Sequence, residues 1–145
     1  MIALLQRISC ASVEISKQIV ATVDSGLLVF LAVQKHDTQA KADKMVERVL
    51  AYRMFSDSQG KMNKNVMQVE GGILLVPQFT LAANTKKGLR PNFSSAATPD
   101  QGNVLFDYFL NKLKAEYATV SSGVFGADMQ VMLVNDGPVT FWLEI

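Results

Sequence analysis

His36 and Cys10 are the only histidine and the only cysteine in the chain, so the residue types behind most nucleophilic and metal-assisted hydrolysis occur once each. His36 is the one side chain that titrates near neutrality without perturbation, and any Ser-His-Asp arrangement would have to use it. It stands between Lys35 and Asp37, just before a helix-capping position, which suits an exposed polar loop residue. A single cysteine permits no intrachain disulfide and no cysteine-based zinc cluster, and a single histidine makes zinc-bound water a poor candidate too. Cys10 closes a strand-like segment and reads as a small buried hydrophobe. Neither a GxxxxGK[ST] loop nor a strand-linked GxGxxG occurs, so no nucleotide cofactor is indicated, and neither a cofactor nor a metal is expected.

Two other segments carry unusual chemistry. In Pro77-Gln78-Phe79-Thr80-Leu81 an amide and a hydroxyl, two residues apart, interrupt the most apolar run of the chain. In a strand they would share one face and need hydrogen-bond partners. In Asn135-Asp136-Gly137-Pro138-Val139-Thr140 a Gly-Pro pair separates two strand-like runs. Glycine lets the backbone approach a ligand, proline fixes its own φ and removes a donor, and a hairpin turn is the plain alternative. A third segment collects Lys86, Lys87 and Arg90 ahead of Phe93, a mixture that can hold phosphate and stack a base, or simply form a solvated loop.

The elements that must position these residues follow from apolar periodicity. Ile2–Ile8, Ser12–Ser16, Ile19–Val23 and Leu27–Val33 are short Val/Ile/Leu-rich runs that read as strands. Asp37 or Thr38 can cap a helix whose apolar positions Ala42, Met45, Val46, Val49 and Leu50 recur at three and four residues through Tyr52. Ser56–Asn65 has turn chemistry, and Gly71-Gly72 introduces a buried strand, Ile73–Leu81. Thr98, Pro99, Asp100 and Gln101 set a cap, a first-turn proline, an acid and a capping-box partner before a second helix through Tyr117. Met129–Val134 and Val139–Ile145 are the last strands. The pattern predicts one α+β domain over residues 1–145, a sheet or open barrel of mainly antiparallel strands covered by two helices.

Bulk properties agree. The chain has 145 residues, 49% hydrophobic and 19% charged, with a formal net charge of +1, which is globular composition without general basicity. Any nucleic-acid contact must therefore be local. The apolar run Gly26–Val33 is far shorter than the ~20 residues a membrane helix needs. With no secretory-signal pattern at Met1–Arg7, a cytoplasmic location is expected.

The two unusual segments also carry a family resemblance. Gln78-Phe79-Thr80 and Asn135–Thr140 resemble the Ser-Gln-Phe-Thr and Asn-x-Gly-Pro-Val/Cys-Thr segments of the D-aminoacyl-tRNA deacylases. Arg7, Arg48–Phe55, Gly60-Lys61-Met62-Asn63, Gly88–Phe93 and Asp128-Met129-Gln130 are similar in the same order. The resemblance implies hydrolysis of the ester of D-aminoacyl-tRNA and, for want of a clash, of glycyl-tRNA. It implies a homodimer in which a cis Gly137-Pro138 enters the partner's site, with Arg7 helping to hold that loop. The side chain of an L-amino acid would be driven into this wall.

Thr80 is then the first catalytic candidate. Without an adjacent base its hydroxyl is weakly activated, which favours its backbone N–H as an oxyanion donor, while Gln78 orients the ester end. Phe79 and Pro77 flank the pocket, Phe125 and Met129 look like positions lining a terminal-adenosine pocket, and Lys86, Lys87 and Arg90 are the RNA-contact candidates. This chain departs from the family at Pro77, where serine is usual, so one hydroxyl and one N–H are missing there. The rival readings are a non-catalytic binder of aminoacylated tRNA ends and a hydrolase of small free D-amino-acid esters.

Overall fold

The computed structural model describes every residue from Met1 to Ile145 except Lys87. Strand β1 (Ile2–Ile15) is the axis of the sheet, pairing antiparallel with β2 (Gln18–Val23), β3 (Gly26–Ala32) and β8 (Gln130–Glu144). Its first half faces β3 and its second half β2 on one edge, while β8 runs along the whole of the other. Beyond β3 the sheet continues in parallel through β6 (Gly72–Pro77) to β7 (Val120–Ser122). The sheet curls until β7 reaches β2, where the Ser121 hydroxyl donates to the carbonyl of Thr22 at 3.2 Å. A small hairpin of β4 (Phe55–Ser56) and β5 (Met62–Lys64) stands apart.

Side-chain alternation builds two cores. Leu27, Val29, Leu31, Ile73 and Leu75 turn outward to α1 (Gln39–Ala51) and α2 (Pro99–Glu116), meeting Met45, Val49, Phe106 and Phe109. Leu28, Leu74, Val76, Val13 and Ile8 fill the inside of the curl. With both faces buried, β3 and β6 need apolar residues at every position, which explains their unbroken hydrophobic runs.

Both helices start where the caps predicted. The Thr38 and Thr98 hydroxyls accept from the N–H of Lys41 and Gln101, each at 3.4 Å. Gln101 does not complete a capping box, because its amide donates instead to the carbonyl of Lys35 at 3.2 Å. Asp37 is not the cap either. It is buried, and its carboxylate takes the Met1 ammonium at 2.7 Å and the Gln34 N–H at 2.7 Å. Burial pushes that ammonium below its ordinary pKa, against the opposing effect of Asp37.

Four sequence expectations change. Ile2–Ile8 and Ser12–Ser16 are one strand, because the small residues between them still pair with β8. The last two predicted strands are likewise one strand interrupted by a bulge. Strand β6 stops at Pro77 rather than Leu81. Cys10 is exposed rather than buried, on the solvent face of β1 opposite Val134. Among the described residues no helix is long and apolar enough to cross a membrane.

Candidate active site

The chain leaves the sheet at Pro77 and turns into a short 3-10 helix, Phe79–Ala82. Gln78 sits at the junction. Its N–H still donates to the carbonyl of Leu31 at 2.8 Å, holding the corner to β3. Its side-chain amide donates to the Thr80 hydroxyl, so the two polar residues meet as expected but across a helical turn rather than along a strand face. The N–H groups of Leu81 and Ala83 return to the carbonyls of Gln78 and Thr80 at 3.1 Å each. Those of Phe79 and Thr80 have no partner among the described residues, as expected for the first turn of a helix.

Beside this corner lies a cavity of about 460 Å³, lined by Pro77, Gln78, Phe79, Phe106, Phe125 and Met129 among others. Its far wall is the start of α2, with Thr98, Pro99 and Gly102. A Cβ on Gly102 would stand 3.0 Å from Cζ of Phe125, so the bare helix lets that ring lie against it. Phe125 also tilts onto Phe106 with centroids 5.9 Å apart. Sequence reasoning missed Gly102. A glycine inside an otherwise well-formed helix was the available signal.

Arg7, Gly137 and Pro138 do not line this cavity. They form a second cluster on β8. Between the pairs Gln6↔Thr140 and Ile8↔Asn135, Arg7 alone on β1 faces Asp136–Val139 on β8, so these four residues bulge out of the ladder. The Gly137–Pro138 peptide bond is cis. Gly137 has φ +123°, and a Cβ there would stand 2.7 Å from Cγ2 of Val139 and 3.0 Å from Nη2 of Arg7, so only glycine fits. The Arg7 guanidinium donates to the carbonyl of Met54 at 2.9 Å and to that of Asp136 at 3.2 Å, and pairs with the Asp136 carboxylate at 2.9 Å.

The basic candidates lie elsewhere. Lys86 lines a separate, shallower depression with Trp142 and Glu144, Arg90 is exposed and lines neither hollow, and Lys87 lies outside the described residues. Phe93 does reach the corner, tilted against Phe79 with centroids 5.1 Å apart. His36 is exposed, and no group of three or more potential metal-ligating side chains occurs among the described residues.

Comparison with known proteins decides the family. A family model described as D-Tyr-tRNA(Tyr) deacylase matches residues 4–144. The chain belongs to that family. It is 57% identical over 145 residues to the D-aminoacyl-tRNA deacylase of Cellvibrio japonicus, covering 100% of this chain and 99% of the relative. Against the protein of the same name from Pasteurella multocida the identity is 59%, with both chains covered in full. Among solved structures, one described as c-Myc DNA Unwinding Element Binding Protein superposes with a TM-score of 0.96 at 38% identity, covering 100% of this chain and 99% of the other. A second, of a probable eukaryotic D-amino acid tRNA deacylase, gives 0.89 at 18% identity over 99% of this chain and 98% of the other, a likeness of fold.

Proposed function

We propose that this deacylase-family member hydrolyses the ester joining a D-amino acid to the terminal ribose of tRNA, releasing free D-amino acid and tRNA. The observation that carries the reading is the corner after β6. It sets two N–H groups without partners among the described residues, at Phe79 and Thr80, next to an apolar cavity that Gln78 and Phe79 line and that is large enough for an aromatic base, in a chain matching the family from residue 4 to 144. Water attacks the ester carbonyl, the Thr80 N–H holds the developing oxyanion, and the ribose oxygen leaves with a proton, the neighbouring 2′-hydroxyl assisting. Gln78 orients the ester, while Phe125 and Met129 receive the terminal adenosine.

Chirality is set by rejection. In a homodimer, the partner's Gly137–Pro138 carbonyls hold the substrate α-amino group, and an L side chain meets that wall while a D side chain points outward. Glycyl-tRNA escapes the clash and is a second substrate. Two features support this arrangement. The bulge projects to solvent away from its own cavity, and β8, an edge strand of 15 residues, leaves Met132 at 47%, Val134 at 54% and Trp142 at 50% exposure. Such an edge calls for a cover. Lys86 and Arg90 are exposed outside the cavity and suit contacts to the RNA strand beyond its terminal nucleotide, and the site of action is the cytoplasm.

The test is deacylation of matched D- and L-tyrosyl-tRNA by the purified protein. The D-ester is expected to be cleaved at least ~10²-fold faster, equivalent to about 2.7 kcal/mol of transition-state discrimination. Equal rates above background would sink the chiral wall. Binding with no ester loss over hours would favour a non-catalytic binder of tRNA ends, a reading that the nucleic-acid-binding name of the 38%-identical structure keeps in view.

A further inference from the structure

Residues 123–129 link β7 to β8 and carry both Phe125, one wall of the cavity, and Met129. The ring packs against Gly102 and Phe106, but that packing holds only if the connection's own backbone keeps its place. The structure supplies three restraints. Gly123 extends the ladder past the end of β7, its N–H donating to the carbonyl of Leu75 at 2.9 Å. The Ala127 N–H donates to the carbonyl of Val124 at 3.3 Å, closing a turn in which Gly126 takes φ +75°. The Val124 N–H donates to Sδ of Met129 at 3.4 Å. Both backbone groups of Val124 are thus engaged, and Phe125 follows immediately.

The sulfur sits against bare backbone. A Cβ on Gly123 would stand 2.7 Å from Sδ of Met129 and 3.6 Å from Cδ of Pro77. Gly123, unlike Gly126, has no left-handed φ, so its lack of a side chain serves space and not backbone conformation. The Met129 thioether lies on this bare backbone and offers its lone pair to Val124, in the way a soft and weak acceptor can.

We infer that Met129 is a positioning residue for Phe125: its thioether, seated on the Cβ-less Gly123, clamps the Val124–Ala127 turn and thereby sets the width of the cavity. The inference rests on the reading of that cavity as the adenosine pocket and adds to it that sulfur, and not only apolar bulk, is needed at residue 129. A clamp that only positions a binding wall acts on substrate affinity more than on the chemical step.

The experiment compares the intact protein with Met129→Leu, Gly123→Ala and the double variant. Leucine keeps apolar volume and removes the acceptor, whereas the Gly123→Ala methyl displaces the sulfur from the other side. Each single variant is expected to raise KM for D-aminoacyl-tRNA by about ten-fold with a smaller change in kcat, and to weaken competition by free adenosine 5′-monophosphate in parallel. The two changes break one contact, so the double variant should cost far less than the product of the singles. Amide exchange at Val124 should speed up in Met129→Leu while exchange in β6 stays as it was, a signature that general loosening of the fold would not give. Additive effects, or unchanged KM and Val124 exchange in Met129→Leu, overturn the clamp. Failure of adenosine 5′-monophosphate to compete in the unsubstituted protein would instead count against the adenosine pocket, and the Val124 exchange test would still decide the clamp.

Discussion

At Pro77 a strand stops and the chain turns into a 3-10 corner, whereas at Asp136 a strand carries on around four residues that leave the ladder. The first interruption is finished within its own chain. Gln78 is tied to β3 and to Thr80, and Phe79 leans on Phe93 beside a cavity that α2 closes from the far side. The second is finished only on its inner side, where Arg7 reaches it from β1, and its glycine and proline line neither of the two hollows described above. In the homodimer proposed above, the first strand break would serve as receptacle and the second as insert, each copy supplying both, an isologous arrangement.

The largest effect is expected from cutting the insert loose. Arg7 holds the bulge by donating to Asp136 and is itself held by Met54. Losing two charged hydrogen bonds at about 1.5 kcal/mol each should lower kcat/KM on D-aminoacyl-tRNA by roughly 10²-fold in Arg7→Ala. Thermal unfolding and sedimentation separate this from loss of the fold or of the proposed dimer. Unchanged activity would mean the bulge does not need its anchor, and the pairing of insert with receptacle would lose its main support.

A smaller effect is expected inside the receptacle. Thr80→Ala removes a hydroxyl that accepts from Gln78 but leaves the backbone N–H in place, so the fall in kcat/KM should stay under about ten-fold, the scale of one neutral hydrogen bond. A drop to the uncatalysed rate, with the circular dichroism spectrum preserved, would make the hydroxyl the nucleophile or an essential proton carrier.

The contrast also explains what could be seen in the sequence. Helices α1 and α2 were legible because periodicity and threonine caps agree locally with the tertiary packing. The end of β6 was not, because the apolar run continues to Leu81 and the stop is imposed by the corner's bonds to β3 and by the 3-10 turn. Asn-Asp-Gly-Pro is ordinary hairpin chemistry, and only the pairing of both flanks with the one strand β1 turns it into a bulge. Residues 77–81 and 135–140 stood out by their residue types, but the roles expected of them came only from the family resemblance. Gly123 escaped notice because its meaning is the sulfur beside it, six residues on in the chain.

The smallest effect is expected at Pro77, where the family resemblance leads one to expect a serine. Along β6 the N–H groups alternate in direction: Gly72 and Gln78 donate on the β3 side, to Ser25 and Leu31, and Ile73 donates to Thr119 on the β7 side. Residue 77 therefore faces the β7 side, past the last pair of that ladder, Leu75↔Ser122. Proline there breaks no sheet hydrogen bond, and its ring lies beside Gly123 and Met129. Pro77→Ser would give up these apolar contacts and gain an N–H and a hydroxyl at the cavity mouth, opposing changes of about 1 kcal/mol each. The expected change in kcat/KM on D-aminoacyl-tRNA is two-fold or less in either direction. A ten-fold fall in KM would show that serine's polar groups grip the substrate, so that the cavity of this chain lacks one of the contacts a serine would supply there.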